Sequence, residues 1–144
     1  MTTGKRPVQR AVAAWGALGL ATAAAVVGLA VTAALATHFK APPEARALRN
    51  PIRATPASLR RGQELYRLNC AKCHGLTGLG DGPSVGSLRT HGGLNLTILG
   101  SETDGEIFWK ISVGRGEMPP WELVLKPEDR WHLVNYLRTL KPPR

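Results

Sequence analysis

The run Cys70-Ala71-Lys72-Cys73-His74 holds the chain's two cysteines and, beside the second, one of its four histidines. Four chemistries compete for two thiols at this spacing. A thioredoxin-like dithiol needs a βαβ setting, and no strand-like alternation of any length surrounds the motif. A structural zinc site normally needs four ligands in two pairs, and no second Cys or Cys/His pair exists. A disulfide across two intervening residues closes a very small loop and stabilises little. Covalent attachment of a haem uses both thiols as thioethers and the adjacent imidazole as an iron ligand, so it explains all three residues together.

An iron held by His74 has a second axial position to fill. Of the two methionines, Met1 is the initiator. Met118 lies in Gly114-Arg115-Gly116-Glu117-Met118-Pro119-Pro120-Trp121, 44 residues beyond His74. Methionine is usually a core filler, but polar, glycine and proline neighbours give this one no core role. A stiff loop offering one thioether suits iron ligation. His91, in a glycine-rich stretch, and His132, beside Trp131 and Leu133, are the chemical rivals. No residue set suggests a nucleophile or a general acid/base pair. With His74 and Met118 both bound the iron has no open position, and outer-sphere electron transfer remains. A haem enzyme or gas sensor would instead need Met118 to dissociate.

These groups need elements to position them. Thr55-Pro56 predicts a helix start, with Thr55 as cap and Pro56 at the first helical position. Leu59, Leu65, Tyr66 and Leu68 form its apolar side, and it runs into Cys70. Seven glycines between Gly75 and Gly93 argue against regular structure there. Thr103 and Glu106 fit a capping box for a helix over Asp104 to Val113, stopped by Gly114-Arg115-Gly116. A last helix starts at Pro127, with Glu128 and Asp129 favouring its positive dipole end. Its apolar set is Trp131, Leu133, Val134, Tyr136, Leu137 and Leu140, and Pro142-Pro143 ends it. The fold class is all-α, with long loops and no internal repeat. A core built from so few large apolar side chains is marginal without a staple or a cofactor. Something bulky and apolar is missing from its middle.

Composition separates this domain from what precedes it. No charged residue occurs from Ala11 to Ala36. These 26 residues would reach about 39 Å as a helix, against a hydrocarbon core of about 30 Å. Residues 11–39 are therefore expected to form a transmembrane anchor or uncleaved signal, with 1–10 as a cytoplasmic N-terminus. Ala34-Leu35-Ala36 resembles a cleavage site and keeps a processed signal peptide as the alternative. Residues 40–54, with Pro42, Pro43 and Pro51, read as an extended tether to a domain over 55–144. From Lys40 onward sixteen basic and ten acidic residues leave a charge of +6. That balance suits an acidic protein partner or an anionic membrane surface. Scattered basic residues on an exported domain argue against nucleic acid. Flanking charges are balanced and do not orient the anchor.

The cysteine motif near the end of a first helix, the methionine-proline loop, and a terminal helix carrying Trp131, Leu133, Val134, Tyr136 and Leu137 together resemble a class I cytochrome c. The resemblance covers roughly residues 56–141. It implies three main helices around one covalent haem c, with Cys70 and Cys73 attaching it and His74 and Met118 as axial ligands. Gly62 and Tyr66 would meet Leu133 and Tyr136 where the first and last helices cross. Tyr66 and Trp121 would line the haem pocket, and the Pro83 carbonyl would accept the Nδ1–H of His74. Lys72, Lys110, Arg115 and Lys126 would surround the exposed haem edge and steer an acidic partner. The loop from Gly75 to Pro83 is similar to that of bacterial monohaem cytochromes beside respiratory complexes. The expected partners are membrane-bound: a quinol-oxidising complex, a terminal oxidase or a dehydrogenase. Haem attachment in this family is extracytoplasmic, which implies a single-pass protein of the bacterial inner membrane with its head on the periplasmic side.

Overall fold

The computed structural model describes residues 39–142. All but Phe39 of the expected anchor lies outside them, and among the described residues no helix is long and apolar enough to cross a membrane. The described elements are five helices: α1 (Pro43–Ala47), α2 (Pro56–Asn69), α3 (Ala71–His74), α4 (Asp104–Val113) and α5 (Pro127–Leu137). Single 3-10 turns cover Val85–Ser87, Leu99–Ser101 and Trp121–Leu123. Among the described residues the only β pairing is an isolated bridge between Arg115 and Met118.

Local chemistry accounts for the helix ends. The Thr55 hydroxyl accepts the Ser58 amide, and Pro56 occupies the first turn of α2. Both halves of the α4 capping box form: Glu106 N–H donates to Thr103 Oγ1, and Thr103 N–H donates to the Glu106 carboxylate at 2.7 Å. Gly114 ends α4 at φ +60°, a left-handed backbone that side chains resist. The last helix stops at Leu137, earlier than the apolar pattern through Leu140 suggested. Beyond it Thr139 and Leu140 donate to Tyr136 and Leu137 in a tightened turn.

The core sits where α2 crosses α5. Leu65, Tyr66, Leu133 and Val134 are buried there, joined by Ile107 and Ile111 from α4. Gly62 permits the crossing. A Cβ at this position would lie 2.2 Å from the His132 carbonyl oxygen and 2.7 Å from Tyr136 Cβ. The Tyr66 and Tyr136 rings meet at 5.2 Å, as the helix-crossing expectation required. Asn135, also buried, donates to Ser58 Oγ and to the Ile52 carbonyl, tying both helices to the preceding segment.

Residues 40–54 are not an extended tether. Their Pro42-Pro43 start nucleates α1, whose Ala45 is buried. Arg46 approaches Glu106 at 3.6 Å, Phe39 packs its ring 5.7 Å from that of Trp109, and Asn50 donates to Asn135 Oδ1 at 2.9 Å. Proline content predicts stiffness; it does not predict that a stiff segment has a surface to lie on.

Candidate functional site

Helix α2 ends at Asn69, and the chain then makes one more helical turn. Cys73 and His74 both donate their amides to the Cys70 carbonyl, at 3.1 and 2.9 Å. Residues three and four apart share a helix face, so this turn brings Cys70, Cys73 and His74 to one side. Both cysteines are unpaired and half-buried. Burial, helped by the neighbouring Cys73, pushes the Cys70 thiol up to about 12. A dithiol tuned for exchange needs the opposite shift, towards a thiolate at neutral pH. The surroundings of Cys70 thus do not favour a thiolate at that sulfur.

His74 is oriented by a contact that the sequence reading missed. Its Nδ1 lies 2.8 Å from the Leu94 carbonyl oxygen. A carbonyl can only accept, so Nδ1 carries the proton and Nε2 keeps a free lone pair, the arrangement a metal ligand requires. Burial lowers the pKa of the imidazole, while the Leu94 bond acts the other way. The expected acceptor was Pro83, and that assignment is corrected. Gly82 and Ser84 donate to the Cys73 and Lys72 carbonyls, so this stretch caps the end of α3 and leaves Pro83 exposed. Gly80, at φ +82°, lets the Leu94 backbone come close: a Cβ there would lie 3.0 Å from the Leu94 carbonyl carbon. A backbone acceptor twenty residues away leaves no side-chain signature to find.

Met118 stands on the loop after α4, half-buried, with its backbone paired in both directions to Arg115 at 2.9 and 3.0 Å. Glu117 beside it accepts the Arg89 and Thr90 amides at 2.8 and 3.4 Å. The segment 89–94 thus touches both candidate ligand loops, at His74 through Leu94 and next to Met118 through Glu117. The rival histidines have other partners. His91 Nε2 meets the Val85 carbonyl at 3.1 Å, and His132 Nδ1 meets Ser58 Oγ at 2.8 Å within the α2–α5 crossing.

Tyr66 is fully buried and donates to the Gly75 carbonyl at 2.7 Å, fixing the first residue after the cysteine motif. Burial, with Cys70 next, raises its pKa. Trp121 packs, half-buried, against the core cluster. Of the four expected rim cations, Lys72 and Lys126 are exposed. Lys110 is instead paired to Glu102 at 2.6 Å and lies over the Phe39 ring, where Arg115 also stacks. Those two positions serve the docked segment around Phe39.

The donor set tests what the site fits. Two unpaired thiols and an imidazole whose Nδ1 is held by the Leu94 carbonyl share one face, and a lone thioether stands on a braced loop. Around the buried core the large side chains Leu96, Leu99, Phe108, Trp121 and Leu125 stay only partly covered. A bulky apolar group with an iron fits both the donors and the thin core. Among the described residues no cluster of His, Cys, Asp and Glu forms a separate metal site.

The chain is similar to known proteins. A family profile described as cytochrome C oxidase, cbb3-type, subunit III matches residues 57–137. The cytochrome bc1 complex cytochrome c subunit of Corynebacterium diphtheriae is 30% identical over 87 residues, 60% of this chain and 28% of that one. The protein of the same name from Mycobacterium leprae is 32% identical over 83 residues, 57% of this chain and 26% of that one. The chain thus spans little more than a quarter of the length of these relatives. Among solved structures, a reducing HAO-like protein complex of Kuenenia stuttgartiensis superposes with a TM-score of 0.56 at 25% identity. That match covers 66% of this chain and 50% of the other.

Proposed function

The chain belongs to the c-type cytochromes, in the family described as cytochrome C oxidase, cbb3-type, subunit III, and on that premise we propose that it carries single electrons in a bacterial respiratory chain through one covalent haem c. The observation that carries the reading is the turn at 70–74, which puts two thiols and an Nδ1-protonated imidazole on one face. When bound, the haem supplies a one-electron Fe(II)/Fe(III) couple. Cys70 and Cys73 would hold it through their sulfurs, and His74 and Met118 would supply the ligands to its iron. The Leu94 carbonyl fixes the imidazole and raises its basicity. A thioether from Met118 would favour the reduced state of that couple. The chain's role is to bind, orient and exclude water, with no proton or bond to move.

The relatives named as bc1 complex subunits support a membrane-bound quinol-oxidising complex as partner. The uncharged stretch from Ala11 to Ala36 supports a single-pass anchor in the inner membrane with the haem domain outside the cytoplasm. Docking of residues 39–52 on the domain removes them as free tether length and favours a fixed subunit over a swinging shuttle. A redox titration with carbon monoxide present tests the reading. It predicts a one-electron wave and no rapid binding to the reduced protein at neutral pH. Rapid binding would instead mark a haem sensor or enzyme.

A further inference from the structure

We propose that Arg130 is a positioning residue for Met118: its guanidinium clasps together the two ends of the loop that carries the thioether, and so sets how fast the thioether can leave the iron. The inference rests on the reading of Met118 as axial ligand. Ser112 lies six residues before Met118 and Arg130 twelve after it. Arg130 is 7% exposed, and its Nη1 donates to Ser112 Oγ, itself buried, which donates onward to the Phe108 carbonyl at 2.7 Å. The guanidinium carbon sits 4.7 Å over the Phe108 ring, which stacks on Trp131 at 3.9 Å. Burial lowers the pKa of the guanidinium, and the charge of Glu122, in the turn just past Met118, acts the other way. The last turn of α4 and the first turn of α5 therefore meet at one side chain.

Packing alone does not explain a cation here. Arg130 Nε is buried without a hydrogen-bond partner, and a buried charge with an unmet donor weakens the fold relative to an apolar residue of similar size. What an apolar residue would not supply is the directed bond to Ser112. That bond fixes the end of α4 and the start of α5 relative to each other, and a loop with fixed ends has fewer conformations in which the thioether is withdrawn.

The test uses the ferric holoprotein with imidazole as competing ligand. At saturating imidazole the binding rate reports departure of Met118. Arg130→Gln should raise that rate roughly tenfold, the change expected from losing one charge-assisted hydrogen bond. Arg130→Lys, which keeps the charge, should fall between. Ser112→Ala removes the other end of the clasp with a smaller change and should move the rate the same way, so the test survives poor folding of Arg130→Gln. Asn135→Ala, which weakens the α2–α5 crossing instead, should leave the rate within about twofold at a comparable loss of global stability. An unchanged rate in both clasp variants, or an equal rise in Asn135→Ala, overturns the proposal. Absence of the weak red iron–thioether band from the unmutated protein overturns the Met118 reading and the clasp with it, whereas a band with clasp-independent rates overturns the clasp alone.

Discussion

Substituting Gly62 by alanine asks whether the α2–α5 crossing holds the domain together. The new Cβ would stand 2.2 Å from the His132 carbonyl oxygen and 2.7 Å from Tyr136 Cβ. Ordinary contact needs roughly 3.5 Å, so the helices would have to part by about 1 Å. Overpacking of this kind costs about 1–3 kcal/mol. The clash is with backbone, which cannot rotate away, so the upper end applies. Alanine returns about 1 kcal/mol through its better helix propensity, leaving a net loss of about 2 kcal/mol. In a domain of this size each kcal/mol moves the midpoint by about 4–8 °C, so Tm should fall by about 8–16 °C. Thermal unfolding of the holoprotein by circular dichroism reads this directly. An unchanged or raised Tm would show that propensity wins, and that α2 and α5 do not meet as closely as described.

Two further perturbations probe the site and the capping. Gly80→Ala strains a residue at φ +82° and pushes on the Leu94 backbone. Weakening a bond of about 1 kcal/mol to His74 should make the imidazole a poorer donor and raise the reduction potential by about 40 mV, read by redox titration. Glu106 has its pKa held below the usual carboxylate range, chiefly by the Thr103 amide it accepts. Its stabilising contribution is therefore present above the unfolded carboxylate pKa and lost as pH falls through the lower folded value. Glu106→Gln, which can still accept that amide, should remove this part of the acid sensitivity in denaturant unfolding below about pH 4.5.

Most of the scaffold was legible because its signals are local. Thr55-Pro56, the Thr103–Glu106 box and Pro127 each act within one turn, and the three main helices begin where those residues stand. The cysteine motif and Met118 stand out as candidates because few other residues in the chain can do that chemistry. What escaped depends on contacts between distant segments. Leu94 orients His74 through a carbonyl, a group every residue has. Glu117 braces the Met118 loop against amides 28 and 27 residues away. Arg130 reads as one more surface cation in an amphipathic helix until Ser112 is found beside it. The segment 40–54 was read from its prolines as free chain, yet Ala45, Arg46 and Asn50 meet partners on α4 and α5 that composition does not reveal. The partners of Lys110, Glu102 and the Phe39 ring, are likewise contacts that composition does not reveal.

The intact mass of the purified protein, recorded under denaturing conditions, bears most directly on covalent haem attachment at Cys70 and Cys73. It should exceed the mass of the polypeptide by one haem, with peptide mapping placing the addition on the fragment containing both cysteines. A polypeptide mass with Cys70 and Cys73 as free thiols, or two mass units lighter as a disulfide, would contradict the account.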